Sequence, residues 1–197
     1  MFTAFMVGSL AAANISNDVG DKLRRDGVVY PLSVLSEEEV RRYRAHFDKL
    51  EAQQPGGHFG PHTMNLHLND PVLWELACHP AVLEHAYKLT GTTQLRMLST
   101  TIFTKYRATT TTGSIVGWHQ DLTYWELHPQ EAWALWIAID DMTASSGALE
   151  YAVGLHTSGQ MQHVTNPEDV LRRCRVGASP SVQQGVPGRP QRTQRVA

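Results

Sequence analysis

Apolar residues recur at three- and four-residue spacings in the first half of the chain and partly alternate with polar ones in the second. Val40, Tyr43, Phe47 and Leu50 follow the helical spacing, so a helix with one apolar face is predicted after Ser36. Ser36 is its expected cap, and Glu39, three residues on, completes a capping box. An earlier helix is expected to end at Gly27, with Val28, Val29 and Tyr30 opening a strand. Asp70-Pro71 and His79-Pro80 start two further short helices, the second closed by Gly91.

Past Gly91 the pattern changes. Residues 94–106, QLRMLSTTIFTKY, are rich in β-formers and read as a strand. Residues 116–125, VGWHQDLTYW, read as a strand running into a loop. AWALWIAID at 132–140 reads as a buried strand, MTASSG as a turn and ALEYAVG as another strand. Helices followed by strands predict an α+β protein with an antiparallel sheet.

The ends differ from the middle. MFTAFMVGSLAAA is apolar but lacks the basic segment of a secretory signal, so residues 1–18 are expected to be a partly ordered start. Residues 19–171 form the expected domain. Residues 172–197 are rich in Arg, Gln, Pro and Gly without an aromatic residue, and are expected to be disordered.

Composition narrows function by exclusion. A net charge of -2 gives no sign of a nucleic-acid partner or an anionic membrane surface. No apolar run approaches the roughly 20 residues of a membrane span. Two cysteines, Cys78 and Cys174, are too few for a disulfide framework or a cysteine zinc site, and a cytoplasmic setting is expected. Oligomeric state is not legible.

The candidate chemistry lies in Trp118-His119-Gln120-Asp121. On extended chain, residues two apart point the same way. His119 and Asp121 can therefore offer an imidazole nitrogen and a carboxylate oxygen to one ion. Two histidines and one carboxylate on one face of the metal suit non-haem iron(II) oxygenases. The spacing alone is a weak signal.

WHQDLTYW, followed by WALWIAIDDMTASSGALEYAVGLHTSG, resembles the phytanoyl-CoA dioxygenase family. The family has a His-x-Asp motif with an aromatic after it, a strand ending in acids, a turn with glycine and a strand with a Gly-x-His end. DGVVYPLSVLSEEEV resembles its opening strand and helix, and the likeness covers roughly residues 20 to 165. The resemblance implies a double-stranded β-helix, a cupin-like jelly-roll with N-terminal helices outside, here incomplete. It implies Fe(II) and 2-oxoglutarate as cofactors, hydroxylation of a small organic substrate, and His119 and Asp121 as two iron ligands. It places Trp136 and Thr101 at the 2-oxoglutarate pocket, and Gln120, Tyr124 and Trp125 at the substrate mouth. Asp121 argues for hydroxylation, because halogenating relatives carry a small residue there.

The same resemblance calls for a late histidine and a basic residue that grips the far carboxylate of 2-oxoglutarate. The chain ends 41 residues after His156, in the Arg- and Pro-rich segment. His163, with Arg172, Arg173 and Arg175 behind it, has a superficially suitable order only. His156 and the loop residue His67 are expected to be structural, and the strand residue Lys105 to be a solvated lysine. The chain alone is therefore expected to have little or no oxygenase activity. Two other readings stay open: a non-catalytic remnant or binding domain of the same fold, and a cupin-like domain holding another metal.

Overall fold

The computed structural model describes residues 2–7, 18–60, 63–106, 118–125, 127, 131–161, 163–165, 180–182 and 193–196; for the last three segments it describes the backbone alone.

Local sequence accounts for the helices. Helix α1 (Asp18–Asp26) carries Asp18 and Asp21 in its first turn and Arg24 and Arg25 in its last, matching the helix dipole. Gly27 closes it with φ of 78°, its N–H donating to the Leu23 carbonyl at 2.8 Å. Helix α2 (Glu37–Ala52) has the predicted capping box: Ser36 N–H donates to Glu39 Oε2 at 2.8 Å, and Glu39 N–H to Ser36 Oγ at 3.3 Å. Helices α3 (Pro71–Ala77) and α4 (Pro80–Thr90) begin at the two prolines. Asp70 caps α3, and Gly91, at φ of 70°, ends α4.

The main sheet holds strands β1 (Phe2–Val7), β2 (Thr63–Met64), β3 (Arg96–Ile102) and β4 (Ala132–Ile137) in the order β2-β3-β1-β4. Every neighbouring pair is antiparallel. Strand alternation gives this sheet two faces. Phe2, Ala4, Met6, Ile102 and Ile137 join the core with Tyr43, Phe47, Leu73 and Leu76 from α2 and α3. The Phe2 and Phe47 rings meet edge to face at 6.2 Å. The other face carries Thr3, Phe5, Ser99, Thr101 and Trp136.

Two smaller ladders complete the described strands. β5 (Leu149–Ala152) pairs with β8 (Thr193–Val196), and β6 (His163–Thr165) with β7 (Pro180–Val182), both antiparallel. Helices against an antiparallel sheet fit the expected α+β class.

Four segments depart from expectation. The N-terminal start contains the central strand of the main sheet, because Phe2, Ala4 and Met6 alternate into the core between β3 and β4. Val28, Val29 and Tyr30 run outside any ladder, and Pro31 directly after them has no amide hydrogen to continue one. Residues 118–125 form no ladder: Asp121–Tyr124 is a 3-10 turn. The segment 172–197, expected to be disordered, contains β7 and β8. Their pairing with β6 and β5 is made by backbone groups, which a segment poor in apolar side chains supplies equally well.

Candidate functional site

His119 and Asp121 converge. Gln120 between them has extended backbone, φ -113° and ψ 127°, and Asp121 opens the 3-10 turn. One extended residue is enough to bring its two neighbours to the same side. Nε2 of His119 lies 3.3 Å from Oδ1 of Asp121, with side-chain exposures of 24% and 37%. The two donor atoms are thus close together and reachable from solvent. The Tyr124 ring stands edge-on to the His119 ring at 5.7 Å.

The turn is held from two sides. Gln120 Nε2 donates to the Gly159 carbonyl at 2.9 Å, and its Oε1 accepts the Met161 N–H at 2.7 Å. Gln160 Nε2 donates to Thr123 Oγ1. Gln120 therefore occupies both ends of its amide in fixing the loop. On the other side, the Trp125 ring meets Phe5 of β1 edge to face at 4.8 Å. That contact lays the turn over the sheet face opposite the helices. Tyr151 of β5 is also near: its phenol is pushed up first by burial and then by the negative charge of Asp121.

The expected pocket residues Thr101 and Trp136 lie on this same face, but on strands that are not neighbours. Thr3 of β1 sits between them, paired with Thr101 on one side and Trp136 on the other. Trp136 stacks on Phe103 at 5.5 Å, nearly parallel at 9°. Phe5 pairs with Ser99 and Ala134 one step along. Thr3, Ser99 and Thr101 have buried side-chain hydroxyls without a hydrogen-bond partner among the described residues. Thr3, Phe5, Ser99 and Tyr151 escaped the sequence reading. The alternation in FTAFMV was the available signal for Thr3 and Phe5.

Other histidines are engaged elsewhere. His67 is buried, stacks on Trp74 at 5.9 Å and shares a 2.7 Å hydrogen bond with Thr100. Burial pushes its pKa down. His156 Nε2 lies 3.1 Å from the Arg24 carbonyl, and Gly154 N–H donates to the Asp26 carbonyl at 2.9 Å, so this turn docks on the end of α1. Lys105 Nζ donates to the Gly147 carbonyl at 2.6 Å. The backbone of His163 lies in β6, while its side chain and Arg172, Arg173 and Arg175 fall outside the described residues.

Among the described residues, no three His, Cys, Asp or Glu side chains come together as a metal-binding group. The donor set at the turn is one imidazole nitrogen and one carboxylate oxygen. That set suits a divalent ion that accepts mixed nitrogen and oxygen ligands. No described helix is long and apolar enough to cross a membrane.

Helices on one face of an antiparallel sheet, with an imidazole–carboxylate pair over the other, define an α+β protein with a concentrated donor site. The family model for phytanoyl-CoA dioxygenase matches residues 23–187, and the chain belongs to that family. Neither the curated proteins nor the solved structures give a match to the chain. The family is one of Fe(II)- and 2-oxoglutarate-dependent oxygenases with a jelly-roll fold, and implies a small-molecule substrate. The match extends through residue 187, past the expected domain end at 171.

Proposed function

We propose that the chain is an Fe(II)- and 2-oxoglutarate-dependent oxygenase-type protein that hydroxylates a small organic substrate, with His119 and Asp121 as metal ligands. The observation that carries this reading is the 3.3 Å approach of His119 Nε2 to Asp121 Oδ1 in a chain of this family. The reading takes the main sheet as one wall of the family's jelly-roll.

When bound, iron and 2-oxoglutarate would allow O₂ to act as the oxidant, one oxygen atom replacing C–H with C–OH in the substrate and the other entering succinate as 2-oxoglutarate loses CO₂. The chain's own residues hold and shape the site. His119 offers a neutral imidazole nitrogen, so protons compete with the metal as pH falls. Asp121 offers a carboxylate oxygen. Gln120 acts as the positioning residue, because its clamp to Gly159 and Met161 sets the backbone between the ligands. Thr101 and Trp136 form the cosubstrate wall, and Tyr124 and Trp125 border the substrate mouth. With two protein ligands supplied by the described residues, metal affinity is modest and turnover low.

A second reading is a non-catalytic family member. The 3.3 Å contact is equally compatible with it, since a histidine and a carboxylate satisfy each other as an ion pair when the imidazole is protonated. Anaerobic addition of Fe(II) and then 2-oxoglutarate separates the two. The oxygenase reading predicts a visible charge-transfer absorption that Asp121→Ala abolishes. An unchanged spectrum in the wild-type chain at millimolar 2-oxoglutarate supports the non-catalytic reading.

A further inference from the structure

We propose that Phe5 is a positioning residue for the His119–Asp121 pair: its ring, on a strand outside the segment that the family model matches, holds Trp125 and with it the turn that carries Asp121. The proposal rests on the reading of that pair as the metal ligands.

Burial of Phe5 on the sheet face away from the helices is the first observation. Phe2, Ala4 and Met6 of β1 alternate into the core, and Phe5 points the other way. It stands outside the core cluster, yet it is only 5% exposed. Trp125, directly after the 3-10 turn, packs on it, and the two rings meet edge to face at 4.8 Å. Rings in this arrangement attract beyond the area they bury, and the attraction depends on their angle.

The surroundings of Phe5 leave its ring open to such a partner. Across the two ladders it faces Ser99 on β3 and Ala134 on β4, both small. The β1–β3 register slips between Phe5 and Met6, where Leu98 has no partner on β1. A bulge of this kind bends the strand and re-aims the side chains beside it. A ring flanked by two small residues stands clear of its neighbours, so a side chain from another segment can pack on it.

Trp125 passes the contact to the site. Its backbone N–H donates to the Leu122 carbonyl at 3.3 Å and closes the turn Asp121–Tyr124. Gln120 fixes the other end through Gly159 and Met161. Asp121 thus lies between two anchors, one from residues 159–161 and one from β1. β1 ends at Val7, and the family match begins at residue 23. The geometry of the pair therefore depends on a strand that lies outside the matched segment.

Phe2 supplies the control, because it sits on the same strand, is 0% exposed and faces the helices. In calorimetric titration of the full chain with manganese(II), Phe5→Leu is expected to weaken binding roughly three- to tenfold, the contribution of an edge-to-face ring pair. Phe2→Leu is expected to lower the melting temperature and leave the affinity unchanged. Trp125→Leu is expected to weaken binding as Phe5→Leu does, and the double variant to weaken it no further, since both changes remove one contact. In the metal-free chain, the NMR signals of the His119 imidazole are expected to shift in Phe5→Leu and stay in place in Phe2→Leu. Wild-type affinity in Phe5→Leu, equal weakening in Phe2→Leu, or additive losses in the double variant overturns the proposal. Should Phe5→Leu not fold, wild-type affinity in Trp125→Leu overturns it instead. If the wild-type chain binds no manganese(II), the metal reading fails by itself; the His119 signals then decide, and an imidazole unmoved in Phe5→Leu overturns the positioning role.

Discussion

Gln120 Oε1 accepts the backbone N–H of Met161 at 2.7 Å, while the same amide donates to Gly159, so the residue between the two candidate ligands is itself anchored. Gln120→Ala removes both bonds. One of these contacts is exposed and the other partly buried, which puts the expected stability cost at about 1 kcal/mol. Metal affinity is expected to fall several-fold, because the backbone linking His119 to Asp121 loses its support. Urea denaturation and manganese(II) titration of the variant check the two effects separately.

Strand β1 makes a second prediction. Phe2 is 0% exposed and packs its ring against Phe47. Phe2→Ala leaves a cavity between the main sheet and α2, with an expected cost of about 3–5 kcal/mol. Removal of residues 2–7 is expected to be worse, since β3 and β4 both lose their shared partner. Chemical denaturation of the point variant gives the number. Loss of a cooperative transition is the expected signature of the deletion.

Gly27 is required for two reasons that can be separated. Its φ is +78°, and a Cβ there would run into the His156 ring and lie 2.8 Å from the Tyr151 hydroxyl. Gly27→Ala is expected to cost about 1–3 kcal/mol from backbone strain alone, with the clash added. In a His156→Ala background the clash with the ring disappears while the strain remains. The cost of Gly27→Ala, read from urea midpoints, is therefore expected to be smaller in that background.

Acid stability depends on Glu39. Its carboxyl is pulled down from the ordinary 4.5 to about 2, chiefly by the Ser36 backbone N–H, then by the Ser36 hydroxyl and His79. The charged form is thus favoured in the folded chain. Its stabilisation is present above the unfolded value and is lost as pH falls from about 4.5 towards 2. Glu39→Gln is expected to flatten the dependence of melting temperature on pH across that window. A wild-type slope in the variant contradicts the assignment.

Legibility in the sequence followed the range of the interactions involved. The helices α2, α3 and α4 were readable because their caps are local: Ser36 with Glu39, Asp70 with Pro71, and Gly91 each act within a turn. The convergence of His119 and Asp121 was readable for the same reason, although it is built on one extended residue and a 3-10 turn rather than a strand. Thr3 and Phe5 were not readable as site neighbours. Their place depends on β1 inserting between β3 and β4, a pairing across more than ninety residues that no local pattern specifies. Strands β7 and β8 were missed because composition registers side chains, whereas their ladders are made by backbone groups.

The central claim is that His119 and Asp121 jointly hold a divalent metal ion. Calorimetric titration of the full chain with manganese(II), repeated for His119→Ala and Asp121→Ala, tests it most directly. The account predicts one bound ion per wild-type chain, with binding lost or weakened at least tenfold in each variant while the melting temperature stays near the wild-type value. Equal manganese(II) binding in all three proteins, or none in the wild type, would contradict it.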